Sequence, residues 1–262
     1  MEYSSKDLSH LGLVAGMCDK LELVSELDRL LPSEHSLSNG TCVKALILNG
    51  LGFVERRLYL VPQFFEDKPV SHLLGEGIEA PMLNDDRLGR CLDALYESGV
   101  SELFAHLSGR AAKILGLDQA PGWGFGHLDN TRFHVDGAYN RALDGEQVED
   151  CLHICQGYSR DHRPDLNQVM LQLVVEHSAG IPLQMAALSG NSHDGVSFRQ
   201  TISDYIGALD QQAEKRCWVM DSAFYNAQTI EMVGQQSYWI SRVPATLAEV
   251  QSLKAQIGQA QM

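Results

Sequence analysis

Lysine and arginine are scarce in this chain. Twenty of them stand against 34 aspartates and glutamates in 262 residues, for a formal net charge of −14 and a pI near 5.0. That shortage disfavours a protein coated in cations. Phosphate contacts need local Lys and Arg, so only a confined basic strip could meet nucleic acid. Long apolar runs are missing too. The longest, VKALILNGLGFV, is broken by Asn49 and two glycines and falls well short of a membrane span. MEYSSKDLSH has no basic segment leading into an apolar one, so the expectation is a cytoplasmic protein with reduced thiols and no membrane partner. The six cysteines include no CxxC pair. CLHIC, from Cys151 to Cys155 around His153, is the nearest thing to a metal pattern. No second ligand pair follows it at zinc-site spacing, so it reads as strand residues.

What is present divides in two. Residues 1 to about 116 carry helical periodicity, in KLELVSELDRLL (20–31), in a segment over 40–65, in NDDRLGRCLDALYESG (84–99) with Asn84 as N-cap, and in VSELFAHLSGRAAKILG (100–116). LDQAPGWGFG follows, rich in glycine and marked by a proline, as a domain boundary. The expected domains are therefore 1–117, helical and serving DNA binding or dimerisation, and 124–262.

Beyond the boundary the period shortens. GFGHLDNTRFHV alternates as a strand. QVMLQLVVE and LQMAALSG flank the turn SAGIP, a hairpin. SFRQTISDYIGALDQQAEK (197–215) reads as a helix, RCWVMD (216–221) as a buried strand ending on a carboxylate, and SAFYNAQTIEMVGQQ as a helix. YWISRVP (238–244) is a further strand, and TLAEVQSLKAQIGQAQ starts the last helix. The order β-β-β-α-β-α-β-α is that of an RNase H-like mixed α/β sheet, here preceded by an all-helical domain.

HLDNTRFHVDG (127–137) holds two carboxylates seven positions apart. On an unbroken strand Asp129 and Asp136 point to opposite faces. Asp221 ends an apolar strand and precedes a helix start, the place where sheets of this kind build their sites. Asp129 on the first strand is its natural partner. Converging carboxylates repel unless a divalent cation neutralises them, which points to Mg²⁺ or Mn²⁺ and to phosphodiester cleavage.

LDNT (128–131), GYSRDHRPDLNQ (157–168), GIPLQMAALSGNSHD (180–194) and WVMDSAFYN (218–226) together resemble motifs of the bacterial insertion-sequence DDE transposases, in particular a cut-and-paste group with an L-D-x-T strand. The helical N-terminal region also resembles the domain that precedes the core in one branch of these enzymes, so the likeness spans nearly the whole chain. It implies Asp129 and Asp221 as the first two catalytic, metal-holding acids. Arg163 and Asp165 would lie before the hairpin and Asn191 and Asp194 after it, close to the metal. The implied partner is double-stranded DNA carrying terminal inverted repeats, bound by a homo-oligomer, with the protein nucleoid-associated when on DNA.

The sequence departs from that family at the third acid. The expected Glu within a Tyr-Arg-Glu-Lys pattern is absent before Met262, which reads as truncation and low activity. Glu249 in TLAEV could mimic it topologically and Glu231 less well, but Arg242 and Glu249 do not have the spacing, so Glu249 reads as a solvated helix residue. Two other readings stand beside this one. The first is a catalytically dead remnant that binds DNA or dimerises. The second is a different metal-dependent phosphohydrolase using His127 with Asp129 and His134 with Asp136, disfavoured because the two pairs fall on opposite strand faces. Candidates for the basic strip are Arg56 with Arg57, Arg110 with Lys113, and Arg160 with Arg163.

Overall fold

The computed structural model describes residues 5–53, 56–121, 124–137, 152–158, 163–192, 196–201, 203, 217–234 and 237–260. It is a mixed α/β chain that divides into two units, Met1–Ile114 and Leu115–Met262. Arg160, Asp194 and Cys151 lie outside the described residues, as does most of the helix expected over 197–215.

In the first unit the described elements are helical: α1 Leu11–Lys20, α2 Leu23–Leu30, α3 Asn39–Gly50, α4 Val61–Phe65, α5 Val70–Leu74, α6 Asp85–Glu97 and α7 Val100–Ile114. The helix expected over 20–31 is shorter, because Glu22 adopts a left-handed backbone (φ 54°) and separates α1 from α2. The segment over 40–65 is likewise two helices and not one. Asn49 is the cause: its side-chain oxygen accepts the Arg56 N–H at 3.0 Å and its amide donates to the Arg56 carbonyl at 2.8 Å, folding the chain back. Gly52 completes the bend. A Cβ there would stand 2.6 Å from the Phe64 ring. Asn84 caps α6 by accepting the Arg87 N–H at 2.9 Å, as its position in the sequence implies. The core gathers Leu11, Cys42, Leu48, Val61, Phe65, Leu73, Leu88 and Cys91.

The second unit is built on a five-stranded sheet: β1 Phe125–Val135, β2 Asn167–Glu176, β3 Pro182–Ser189, β4 Cys217–Met220 and β5 Tyr238–Ser241. Strand order is β3-β2-β1-β4-β5. β1 to β3 are antiparallel neighbours, while β4 runs parallel to β1 and β5 parallel to β4. Helical residues 196–201 follow β3, α8 Ala227–Gly234 connects β4 to β5, and α9 Ala248–Ala260 comes last. Residues 152–158 run beside the start of β2, where Cys155 bridges Gln168. Gly157 and Gly190, a glycine from each of two quoted motifs, lie where these backbones meet. A side chain on either would strike the other segment or Gln168.

One face of the sheet is closed. Leu128, Val174, Trp218 and Met220 pack there against Phe198, Phe224 and Val233. The opposite face, carrying Phe133, Leu171, Leu173, Val219 and Ile240, is only half-buried or exposed. Burial alternates strictly along β2 and β4, but hydrophobicity does not mark the buried side, since apolar residues stand on both faces.

Candidate metal-binding edge

β1 is unbroken from Phe125 to Val135, so Asp129 and the exposed Asp136, just past its end, do not share a face. Register decides which acid has a partner. His127 pairs with Val219 and Leu128 with Met220 across the parallel β1–β4 ladder. Asp129 is the next residue on β1, and Asp221 is the first residue past the end of β4. Parallel neighbours in register point the same way at about 4.8 Å strand spacing, so the last paired residues put both aspartates at the same end of the β1–β4 ladder.

Each carboxylate is also held from behind. Asp129 accepts the N–H of Asn130 at 2.8 Å. Asp221 accepts the N–H of Ala223 at 2.9 Å, capping a turn of 3-10 helix over Ser222–Phe224, and its carbonyl accepts the Ser241 hydroxyl at 2.7 Å. Asp129 is exposed and Asp221 half-buried. A pair of acids suits a hard cation, which commonly takes one or two carboxylates and completes its shell with water or phosphate. Among the described residues no group of three or more His, Cys, Asp or Glu converges in a metal-ligand arrangement. Glu249 sits exposed in the first turn of α9 and Glu231 exposed on α8.

The remaining sequence candidates have other neighbours. Arg163 and Asp165 form a bidentate pair with each other, with Nε to Oδ1 at 2.9 Å and Nη2 to Oδ2 at 2.8 Å. That contact holds the Asp165 carboxyl below its usual range. Asn191 is exposed in the turn after β3. Arg110 is engaged by Glu22 at 2.6 Å and by Glu26 at 3.6 Å. Lys113, Arg56 and Arg57 are exposed.

Three features of the second unit are not anticipated by motif reading. His127 Nε2 lies 2.9 Å from His177 Nδ1, so the histidine of the disfavoured hydrolase reading is engaged by another histidine. Beneath Asp129, on the closed face, Gln172 donates to Asn130 at 2.8 Å and to Ser197 at 3.1 Å, and accepts from Thr201. At the β2–β3 turn the buried Glu176 accepts the N–H groups of Ser178, Ala179 and Ile181. A signal existed: Gln168, Gln172 and Glu176 recur every fourth residue of β2, on one face.

A family model described as a domain of unknown function, DUF4277, matches residues 3–109. No curated protein matches the sequence. Among solved structures the chain is similar to the piggyBac transposase in a synaptic complex with hairpin DNA, at 11% identity and a TM-score of 0.47, covering 96% of this chain and 54% of that one. It is also similar to the Mos1 mariner paired-end complex with Mn, at 14% identity and a TM-score of 0.31, covering 98% and 85%. The chain thus spans about half the length of the piggyBac chain.

Proposed function

We propose that the second unit is an RNase H-like phosphoryl-transfer core of the DDE transposase type, acting on double-stranded DNA at element ends, and that the helical unit binds that DNA. The observation that supports this reading is the register of β1 and β4, whose last paired residues, Leu128 and Met220, each directly precede one of the two aspartates. The sheet order, with three antiparallel strands and two parallel ones added at β1, agrees with it.

In this reading Asp129 and Asp221 hold Mg²⁺ or Mn²⁺. Bound there, the cation would supply charge stabilisation to phosphoryl oxygens and acidify a water molecule. The chain's own part is orientation. The Asn130 and Ala223 N–H groups each donate to one carboxylate oxygen, which orients the side chain. Arg163, Asp165, Asn191 and Asp194 are assigned to the loops flanking the hairpin, and assembly on DNA is as a homo-oligomer. Glu249 remains a solvated helix residue, so among the described residues two acids serve the site and strand cleavage by these residues is slow.

Electron paramagnetic resonance of Mn²⁺ titrated into the protein tests the site. Signal loss on binding is expected for the native chain and is expected to vanish in Asp129→Asn and in Asp221→Asn. Undiminished binding in both variants would refute the assignment. A nicking assay with Glu249→Gln tests the third position, where no change in rate is expected.

A further inference from the structure

We propose that the bend between α3 and α4 is the DNA-docking surface of the helical unit, with the Phe53 ring stacking on an unpaired base and Arg56 and Arg57 holding the adjoining phosphates. This rests on the DNA-acting reading above and assigns its contact to particular side chains.

Charge is the first argument. Among the described residues several cations are already neutralised by carboxylates. Arg29 pairs with Glu26, Lys44 with Asp19, Arg110 with Glu22 and Arg163 with Asp165. Arg56 and Arg57 are both exposed, and among the described residues no carboxylate pairs with either guanidinium. Two adjacent unpaired arginines are a local positive spot that phosphates would neutralise without first breaking an ion pair.

The second argument is an aromatic ring where burial would normally be expected. Phe53 is 88% exposed and Tyr59 58%. A phenylalanine left in water forgoes the stabilisation that burial of its ring would give. Its ring is nevertheless held in place, with the His10 ring 4.4 Å away. His10 is itself tied by Nε2 to the Leu51 carbonyl at 2.6 Å. The Asn49 bonds to Arg56 pin the other side of the bend. A surface fixed in advance loses little conformational entropy when a ligand arrives.

Beneath the ring lies a cavity of about 350 Å³ lined by His10, Phe53, Arg56, Gln63, Phe64 and Lys68, with Asp7 and Asp67 also on its wall. Lys68 is paired with Asp67 at 3.0 Å. The cavity is therefore close to charge-neutral and has two aromatic walls. It suits an uncharged, flat nucleobase better than a phosphate. Aromatic stacking of single-stranded bases beside cations that track the backbone is the general way unpaired nucleic acid is held.

The test compares a blunt duplex with a forked duplex whose unpaired arm carries a fluorescent base analogue, using anisotropy and analogue quenching. The native chain should bind the fork more tightly and quench the analogue. Phe53→Ala should weaken fork binding by roughly five- to a hundredfold and abolish quenching. It should leave blunt-duplex binding unchanged, while Phe53→Tyr should retain both fork effects. Arg56→Gln with Arg57→Gln should weaken both probes and lower the salt slope by about two. Circular dichroism of each variant guards against misfolding, which an exposed position makes a small risk. Fork binding insensitive to Phe53→Ala, or DNA binding insensitive to the arginine pair, would overturn the surface while leaving the DNA reading intact. Failure of the native chain to bind either probe at low salt would instead overturn the DNA reading itself.

Discussion

Leu128 and Met220 are register partners across the parallel β1–β4 pair, and the residue that follows each of them is an aspartate. Two like charges on neighbouring strands cost stability unless something neutralises them. In chelator, Asp129→Asn or Asp221→Asn should therefore raise the unfolding temperature modestly. The same substitutions should remove any rise that Mn²⁺ gives the native chain. Calorimetric scans with and without the ion would check both signs, and a loss of stability in chelator would contradict the repulsion.

Glu176 offers a second prediction. Its side chain is buried at 1% exposure. Burial pushes its pKa up, but the N–H groups of Ala179, Ser178, Ile181 and Gly180 together outweigh that and hold the carboxyl below its ordinary value of 4.5. A depressed folded-state pKa adds stability above the ordinary value, and that stability is lost as pH falls through the folded one. Glu176→Gln should destabilise the hairpin at neutral pH by about 1–3 kcal/mol, since it leaves buried N–H groups poorly paired. Denaturant melts at pH 7 and at successively lower pH should show the gap between the two proteins narrowing as the solution becomes more acid.

In the helical unit Glu26 is the acid whose titration matters. Arg29 and His106 bond to it directly, and with Arg110 they lower its pKa from 4.5 to about 2 despite the opposing desolvation. By the same sign argument the stability that it contributes is present above pH 4.5 and lost between there and pH 2. Acid titration of helical signal should show that loss in the native chain and less of it in Glu26→Gln. Equal acid sensitivity in the two would rule the cluster out as the cause.

The closed face of the sheet supplies the fourth. Gln172 serves Asn130, Ser197 and Thr201 at once. Asn130→Ala removes one partner and leaves a buried amide under-satisfied, at a cost of about 1–3 kcal/mol. Leu128→Ala, on the same face, should cost about 2–5 kcal/mol through the cavity that it opens. Leu171→Ala, on the open face, should cost clearly less. Chemical denaturation of the three variants would rank them.

Local patterns carried a good deal of this protein. The alternation in QVMLQLVVE, the Asn84 cap and the carboxylate ending RCWVM could all be read from the chain, because period, capping and strand ends depend on residues a few positions apart. Asp129 could be separated from Asp136 for the same reason: strand parity is a local property. The single helix expected from residue 40 to near Val61 and Pro62 failed because the Asn49–Arg56 fold-back competes with apolar periodicity, and the periodicity does not record it. Only tertiary pairing decided the rest. Which strand lies beside β1, and in what register, pairs Leu128 with Met220 across 92 positions of chain. Which of two apolar faces is closed, and where His127 finds His177, were likewise beyond the sequence. Long-range pairing depends on how whole elements pack, and no short window of residues encodes it.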